Sequence, residues 1–304
     1  MSVIGSTRGI GDAVRDMYES SGRASLLVLP LLAFKLVFFV VPFLILARIA
    51  FSQRADSGTH IPGSVSLEAF LAIPESSVIR YVIYFSFTFG VVATIITVAV
   101  SFFYAYAIWR AEGLLKGLLL CSFILRLLTT LVIRTYAWLP LLTPTGTLNE
   151  TLLAVGVITD PIQFAPGYVG ALVGQVYIII PYAVLAIYSV LVTMKWETVE
   201  AARDLGASRL GSIIHVVIPH AMPGIIVGTV IAFAWNVGSY AAPALLGGGR
   251  ERTFAIEVEN QVLRQFDWAV GSALAMVMLL MVLIAIAAIV GALNRFGGDI
   301  EYAS

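Results

Sequence analysis

Long runs of apolar residues alternate with short polar segments along most of the chain. Six runs reach the length of about 20 residues that a helix needs to cross a bilayer. They cover residues 26–51, 78–109, 114–142, 167–194, 221–246 and 268–293. A polar N-terminal segment precedes them, with apolar residues at helical spacing over 9–20. The pattern predicts an all-α polytopic membrane protein with six transmembrane helices and a short N-terminal amphipathic helix.

Composition supports a membrane protein and argues against a soluble domain. The 304-residue chain is 60% hydrophobic and 12% charged, with a mean hydropathy of +0.96. Soluble domains average about 25% charged residues. The formal net charge is zero, so the charge balance does not indicate nucleic acid as a partner. The lipid bilayer is the expected surrounding.

Lysine and arginine predict which side of the membrane each polar segment occupies. If the N-terminus is cytoplasmic, the cytoplasmic segments carry more basic residues than the outer ones, as the positive-inside rule requires. We therefore predict a cytoplasmic N-terminal segment at 1–25, a transmembrane domain at 26–295 and a cytoplasmic tail at 296–304. The polar stretch 195–219, between the fourth and fifth spans, is then cytoplasmic.

This polar stretch, 195–219, predicts two helices joined by a glycine. Thr198 can cap the first helix, and Gly206 fits a left-handed stop at its end. Ser208 can cap a second helix, and Pro219 ends that helix or bends the chain into the next span. Polar amphipathic loops are common between spans, so helical spacing alone does not establish a docking role.

The letters EAARDLGASRLGSIIHVVIP, residues 200–219, resemble the EAA motif of permease subunits from binding-protein-dependent ABC importers. That motif is E-A-A, three residues, G, nine residues, then hydrophobic-x-hydrophobic-P, with Val216 and Ile218 at the hydrophobic positions here. The resemblance implies a type I importer fold, in which this loop forms coupling helices that sit in a groove on the ATP-hydrolysing subunit. The predicted ATPase-coupling residues are Glu200, Ala201, Ala202, Gly206, Ser208 and Pro219.

Three strings further resemble the permease subunits of spermidine/putrescine importers: IRTYAWLPLL at 133–142, EAARDLGAS at 200–208 and APALLGGGR at 242–250. The resemblance implies a bacterial inner-membrane location and a heterodimer with a second homologous permease. It also implies an ATP-binding cassette ATPase dimer and an external solute-binding protein. The implied cargo is a small cationic solute, a polyamine such as spermidine or putrescine. Related permeases carry iron, thiamine, opines or 4-aminobutyrate, and these alternatives stay open.

We predict no enzymatic chemistry for the chain itself. A phosphate-binding loop needs G-x-x-x-x-G-K-[ST], and the glycines at 247–249 have no such lysine. No catalytic residue, bound cofactor or metal site is therefore predicted, and ATP and magnesium are assigned to the partner ATPase. The single cysteine, Cys121, cannot form an internal disulfide.

Polar and aromatic residues at membrane depth are the candidates for a substrate path. Arg134 and Trp138 are four apart and are predicted to share a helix face, with Tyr136 between them. They suggest an outer gate or substrate contact, and equally an interfacial anchor, because Trp, Tyr and Arg gather at the membrane boundary. Polar or aromatic residues of the fourth and fifth spans could pass a cation by cation–π attraction or simply join helices: Tyr182, Trp235, Asn236 and Tyr240.

An ion-driven secondary transporter is the alternative class. Such proteins typically show inverted repeats, broken helices or acids within the spans, whereas the six predicted spans contain no Asp or Glu. The same lack of acids argues against a tight amine site inside the membrane. Acids in the predicted outer segments, among them Glu257 and Glu259, are available at the entrance.

Overall fold

The computed structural model describes residues 30–55 and 60–296, and within them every regular element is a helix. The predicted amphipathic helix at 9–20 and residues 297–304 of the predicted tail lie outside the described residues. Five helices are long and apolar enough to cross a membrane, and a bent pair makes a sixth crossing when it is counted as one span. The predicted all-α fold with six spans is confirmed.

The helices are numbered here in chain order. They are α1 Pro30–Ala50, α2 Glu68–Glu75, α3 Ser77–Arg110, α4 Gly113–Leu128, α5 Leu131–Tyr136, α6 Leu139–Leu142, α7 Thr147–Ala154, α8 Tyr168–Leu191, α9 Trp196–Asp204, α10 Arg209–Val237, α11 Ala241–Leu246, α12 Phe254–Glu259 and α13 Trp268–Phe296. Wider π-helical turns occur at Leu36–Val40 in α1, at Ile213–Val217 in α10 and at Asn260–Arg264 after α12.

Three helices, α3, α8 and α10, form the centre of the chain, and α1 packs against α13 beside them. Gly224 of α10 lies so close to α8 that a Cβ atom there would come 2.6 Å from the carbonyl oxygen of Ala186. Small residues at such crossings let membrane helices approach closely. The central helices are thereby fixed against one another, and the functional segments extend from their ends.

The predicted third span, 114–142, is not a single helix. The chain bends by 113° between the end of α4 at Leu128 and the start of α5 at Leu131. Thr130 caps α5, because its hydroxyl accepts a hydrogen bond from the N–H of Ile133 at 3.4 Å. A pair of threonines within an apolar run is a weak signal for such a break, so the sequence pattern predicted one continuous span.

The predicted second loop helix and the predicted fifth span, 221–246, are joined in one helix. Helix α10 begins at Arg209 and continues through Pro219 to Val237. A π turn over residues 213–217 ends two residues before the proline, and it alters the regular hydrogen-bond ladder near the position where proline has no N–H to donate. Of the two alternatives predicted for Pro219, the end of the helix is therefore wrong, and the chain continues through the proline into the next span.

The end of the predicted fifth span is also different, because α10 stops before Gly238 and α11 starts as a separate short helix. In one continuous helix the carbonyl of Ser239 would accept from residue 243, but Pro243 has no donor. The hydroxyl of Thr253 donates to that carbonyl instead. The break is thus stabilised by a residue from the next segment of the chain.

Candidate functional site

The polar loop between α8 and α10 folds as the predicted helix–glycine–helix. Helix α9 begins at Trp196 with Lys195 at its N-cap, so the prediction that Thr198 caps this helix is wrong. The buried Val199 and the partly buried Trp196 pack against the ends of the spans. This packing sets the start of α9 and overrides the local preference of threonine for a cap.

Gly206 is the predicted left-handed stop, with φ of +97°. Its N–H donates to the carbonyl of Arg203 at 2.9 Å, and the N–H of Ala207 donates to the carbonyl of Ala202 at 3.1 Å. These two bonds are those of a Schellman motif. A Cβ atom added at Gly206 would meet nothing within 4 Å. The backbone angle, rather than a lack of space, is therefore what favours glycine here.

The second helix of the loop begins at the predicted cap. The hydroxyl of Ser208 accepts a hydrogen bond from the N–H of Gly211 at 3.0 Å, which starts α10. The chain between α9 and α10 thus reverses over a few residues with its backbone groups satisfied. The turn is therefore fixed at both ends by local hydrogen bonds.

The tip of this turn carries apolar side chains that the sequence analysis did not single out. Leu205, next to Gly206, is 91% exposed, and Leu210 in the first turn of α10 is also exposed. Both leucines therefore lie on the exposed surface of the turn, among charged and polar neighbours. In the sequence, the one feature that could have indicated this exposed side chain is the position of Leu205 directly before the stop glycine, Gly206.

A groove of about 590 Å³ lies beside Leu205. Its lining comes from the second half of α9 and the start of α10: Glu200, Arg203, Asp204, Ala207, Ser208 and Arg209. The structure therefore brings two predicted coupling residues, Glu200 and Ser208, to one surface next to the exposed Ala201 and Gly206. The predicted residue Ala202 is half-buried, and Pro219 lies about 15 Å further along α10.

Glu200 lies in the middle of α9 rather than in its first turn. Its Oε1 accepts a hydrogen bond from the indole Nε1 of Trp196 at 2.8 Å. The guanidinium carbon of Arg110, the last residue of α3, lies 3.5 Å from the centroid of the same indole. The loop helix is thereby tied through one aromatic ring to the end of a central spanning helix.

Arg134, the predicted gate residue, closes the bend between α4 and α5. Only 8% of its surface is exposed, and its Nε and Nη2 donate to the carbonyl of Thr129 at 2.9 and 2.6 Å. These bonds satisfy a carbonyl freed by the break, which membrane depth requires. The prediction that Arg134 and Trp138 share a helix face is wrong, because α5 ends at Tyr136.

Trp138 takes part in a different cluster, and Tyr136 is exposed. The ring of Trp138 packs edge-on against Tyr177 of α8, with 5.3 Å between centroids. Arg126 of α4 places its guanidinium carbon 4.0 Å from the Tyr177 centroid and donates from Nη2 to the Tyr177 carbonyl at 2.6 Å. This cluster attaches the broken span to the central helices.

Asn236 lies in the interior, at the junction of α3, α8 and α10, with no exposed surface. Its Oδ1 accepts from Nε2 of Gln175 at 3.0 Å, and its Nδ2 donates to the hydroxyl of Thr94 at 3.1 Å. Both partners are buried as well. Of the two alternatives for this residue, the geometry favours a polar link between helices.

The other aromatic candidates have side chains that are at least partly exposed on the surface of the chain. Tyr182 of α8 stacks on Trp235 of α10 with centroids 5.0 Å apart, and Trp235 is exposed. Tyr240 lies beyond the end of α10, so it does not share a face with Asn236. Its hydroxyl donates to Oε2 of Glu259 at 2.9 Å.

The sequence was compared with known families and curated proteins. Residues 112–295 match the family described as "Binding-protein-dependent transport system inner membrane component". The spermidine/putrescine transport system permease protein PotB of Escherichia coli (strain K12) is 29% identical over 264 residues, which cover 85% of this chain and 94% of PotB. The sulfate transport system permease protein CysT of Salmonella typhimurium is 31% identical over 134 residues, which cover 43% of this chain and 48% of CysT.

The fold was compared with solved structures. A chain in the crystal structure of a bacterial alginate ABC transporter, in complex with an alginate pentasaccharide-bound periplasmic protein, superposes with a TM-score of 0.76. The two chains share 16% sequence identity, and the superposition covers 93% of this chain and 97% of the other. At this identity the likeness establishes a common fold.

Proposed function

The chain belongs to the family of binding-protein-dependent transport system inner membrane components, and we propose that it is the permease subunit of an ATP-driven polyamine importer. It is thus a multi-pass inner-membrane transport component. In the proposal it forms the translocation path with a second homologous permease and receives cargo from an external solute-binding protein. A separate ATP-binding cassette ATPase dimer binds ATP and magnesium on the cytoplasmic side, where both ends of this chain also lie.

The observation that carries the ATPase contact is the turn between α9 and α10. Its Schellman stop at Gly206 presents Leu205 beside a groove lined by both charged and polar side chains. An apolar side chain surrounded by polar residues agrees with the apolar core and polar rim of protein–protein interfaces. The loop is therefore the surface we assign to the ATPase.

The loop is connected to the spans in two ways, one through the continuous backbone of a helix and one through side-chain packing. Helix α10 continues from Arg209 at the loop into the membrane without a break. Helix α9 is tied to the end of α3 by the Arg110–Trp196 contact. Because α3 and α10 both belong to the central trio, a displacement of the loop by ATP binding moves the helices that form the path.

The polyamine assignment rests on the likeness to PotB along most of the chain, whereas the likeness to CysT covers less than half. Two features of the described residues agree with a cationic cargo. Glu259 offers a half-buried carboxylate held by Tyr240, and the stacked pair of Tyr182 and Trp235 offers exposed aromatic surface to an ammonium group. Weak contacts of this kind suit passage rather than tight storage.

Uptake in cells that lack other polyamine systems tests this proposal. Cells that express the complete complex are expected to accumulate radiolabelled putrescine or spermidine, and unlabelled 4-aminobutyrate is expected not to compete. Accumulation of 4-aminobutyrate, an opine, thiamine or iron in place of both amines would overturn the substrate. The assignment as an ATP-driven permease would survive that outcome, provided that uptake requires the ATPase.

A further inference from the structure

A second concavity, of about 350 Å³, lies between α9, the end of α3 and the start of α10. Three arginines line it, one from each element: Arg110, Arg203 and Arg209. Trp196 and Tyr106 complete its aromatic wall. We call this concavity the arginine pocket. It shares Arg203 and Arg209 with the loop groove, but Arg110 and the aromatic residues belong to it alone.

The arginine pocket has a surplus of positive charge within the described part of the chain. No carboxylate there lies within 4.0 Å of the guanidinium groups of Arg110, Arg203 or Arg209. The indole of Trp196 holds the Arg110 guanidinium by cation–π contact at 3.5 Å, which leaves its N–H groups available as donors. Three cations around one concavity repel each other, and an anion with several acceptor oxygens relieves that repulsion.

In the proposed orientation, the end of α3 and the arginine pocket beside it lie at the cytoplasmic edge of a bilayer that is about 40–45 Å thick with its headgroups. Helix α3 has 34 residues and is therefore about 51 Å long, whereas the hydrocarbon core is about 30 Å thick. Its last turns carry Tyr106 and Trp109 before Arg110, and aromatic residues of this kind mark the membrane interface. The side chain of Phe103, two turns before Arg110 on the same face, is 69% exposed. An exposed apolar strip thus leads to the basic pocket.

We propose that the arginine pocket binds the phosphate headgroup of an anionic phospholipid, with its acyl chains along the Phe103 face of α3. The chemistry is that of a phosphate diester recognised by guanidinium donors. This proposal rests on the proposed function, which places the loop on the cytoplasmic side of the membrane. The bound lipid therefore belongs to the cytoplasmic leaflet. A bound headgroup joins α9 to α3 and α10 and so braces the coupling helix against the spans.

Native mass spectrometry of the complete complex tests this. The complex is reconstituted in nanodiscs of equal parts phosphatidylcholine and phosphatidylglycerol, and the lipids retained after release are counted. Wild type is expected to retain phosphatidylglycerol over phosphatidylcholine, and the double variant Arg110→Gln/Arg209→Gln to lose that preference, by about fivefold for each guanidinium removed. Lys116→Gln, a basic residue of α4 outside the pocket, is the matched control and should leave the preference unchanged. Arg209→Lys should retain most of it, because the charge remains.

Four results would overturn the proposal. Equal retention of phosphatidylglycerol by wild type and the double variant would show that the pocket does not bind this lipid. An equally large loss of the preference in Lys116→Gln would show that the preference is a general effect of positive charge. Displacement of phosphatidylglycerol by inorganic phosphate, with phosphate bound in its place, makes this a free-anion site. Retention only after the ATPase is stripped from the complex shows that acidic residues of the ATPase occupy the pocket. ATPase-dependent uptake, measured separately, shows whether the proposed transport function holds whichever lipid result is obtained.

Discussion

The guanidinium of Arg110 stacks on the indole of Trp196, 3.5 Å from its centroid, and so joins a spanning helix to the helix of the polar loop. The two residues are far apart in sequence, one at the end of α3 and one at the start of α9. Trp109 also packs on Trp196 with 5.5 Å between centroids. The loop is therefore held against the membrane domain at its first helix as well as through α10.

Replacement of this indole should loosen the loop. Trp196→Ala removes the cation–π contact, worth about 0.5–1 kcal/mol at an exposed site, and the hydrogen bond to Glu200. Substrate-stimulated ATP hydrolysis by the reconstituted complex should fall several-fold. Trp196→Phe keeps an aromatic ring over which Arg110 can stack and should retain most of the activity. Equal rates for Trp196→Ala and wild type would show that this contact does not hold the loop.

The effect of a substitution at Gly206 should depend on how well the new residue adopts a positive φ, and not on the size of its side chain. At φ of +97°, an ordinary residue costs roughly 1–2 kcal/mol, asparagine is tolerated better and a β-branched residue worse. Coupled ATP hydrolysis should therefore decrease in the order Gly206, Asn, Val. The affinity of the binding protein for its ligand should not change in any variant. A Val variant as active as the Asn variant would contradict the role of the left-handed stop.

Asn236→Leu should affect stability more than substrate preference. The change leaves the buried amide of Gln175 without its partner, a loss of about 1–3 kcal/mol for an unsatisfied buried group. The thermal stability of the purified complex should fall, and the double variant Gln175→Leu/Asn236→Leu should recover part of it. A transport defect at unchanged stability would instead place Asn236 in the substrate path, as the sequence alone allowed.

Glu259→Gln should slow amine uptake while it leaves the fold intact. The carboxylate of Glu259 is half-buried and accepts from Tyr240 at 2.9 Å, and an amide of the same shape can still accept that bond. Oε1 of the same carboxylate lies 3.9 Å from Nη2 of Arg264, so the substitution removes this exposed ion pair together with the negative charge. A loss of several-fold in spermidine uptake reports attraction of a cation when Arg264→Gln, which removes the ion pair but keeps the carboxylate, does not show it. Tyr240→Phe serves as the control that breaks the hydrogen bond without removing the charge. Unchanged uptake by Glu259→Gln would exclude this carboxylate from the path.

The number of spans and the form of the coupling loop could be predicted from sequence because their signals are local. Apolar runs set the spans, and Gly206 and Ser208 occupy the two positions where a stop and a cap are needed. The start of α9 could not be predicted, because the burial of Val199 and Trp196 depends on distant helices. Local sequence signals therefore predict the structure where backbone groups form their hydrogen bonds with residues nearby in the sequence.

The candidate path residues were less predictable for the same physical reason. The sequence placed Arg134 at membrane depth. Its hydrogen-bond partner is the carbonyl of Thr129, which is freed by the bend in the chain. That bend could not be predicted, because it lies within a continuous apolar run. Asn236 and Tyr240 are one turn apart in sequence, yet the break after Val237 separates a buried residue from an exposed one. Hydrogen-bond partners across helices decide these roles, and a single sequence does not contain them.

The central claim is that the turn carrying Leu205 couples this chain to an ATPase during amine import. The most direct measurement is ATP hydrolysis by proteoliposomes with the complete complex, with and without spermidine-loaded binding protein, for wild type and Leu205→Asp. Wild type should show stimulated hydrolysis with accumulation of spermidine. Leu205→Asp places a charge at a 91% exposed position that the fold tolerates, and it should lose both stimulation and uptake. Stimulation and uptake equal to wild type in Leu205→Asp would contradict the claim.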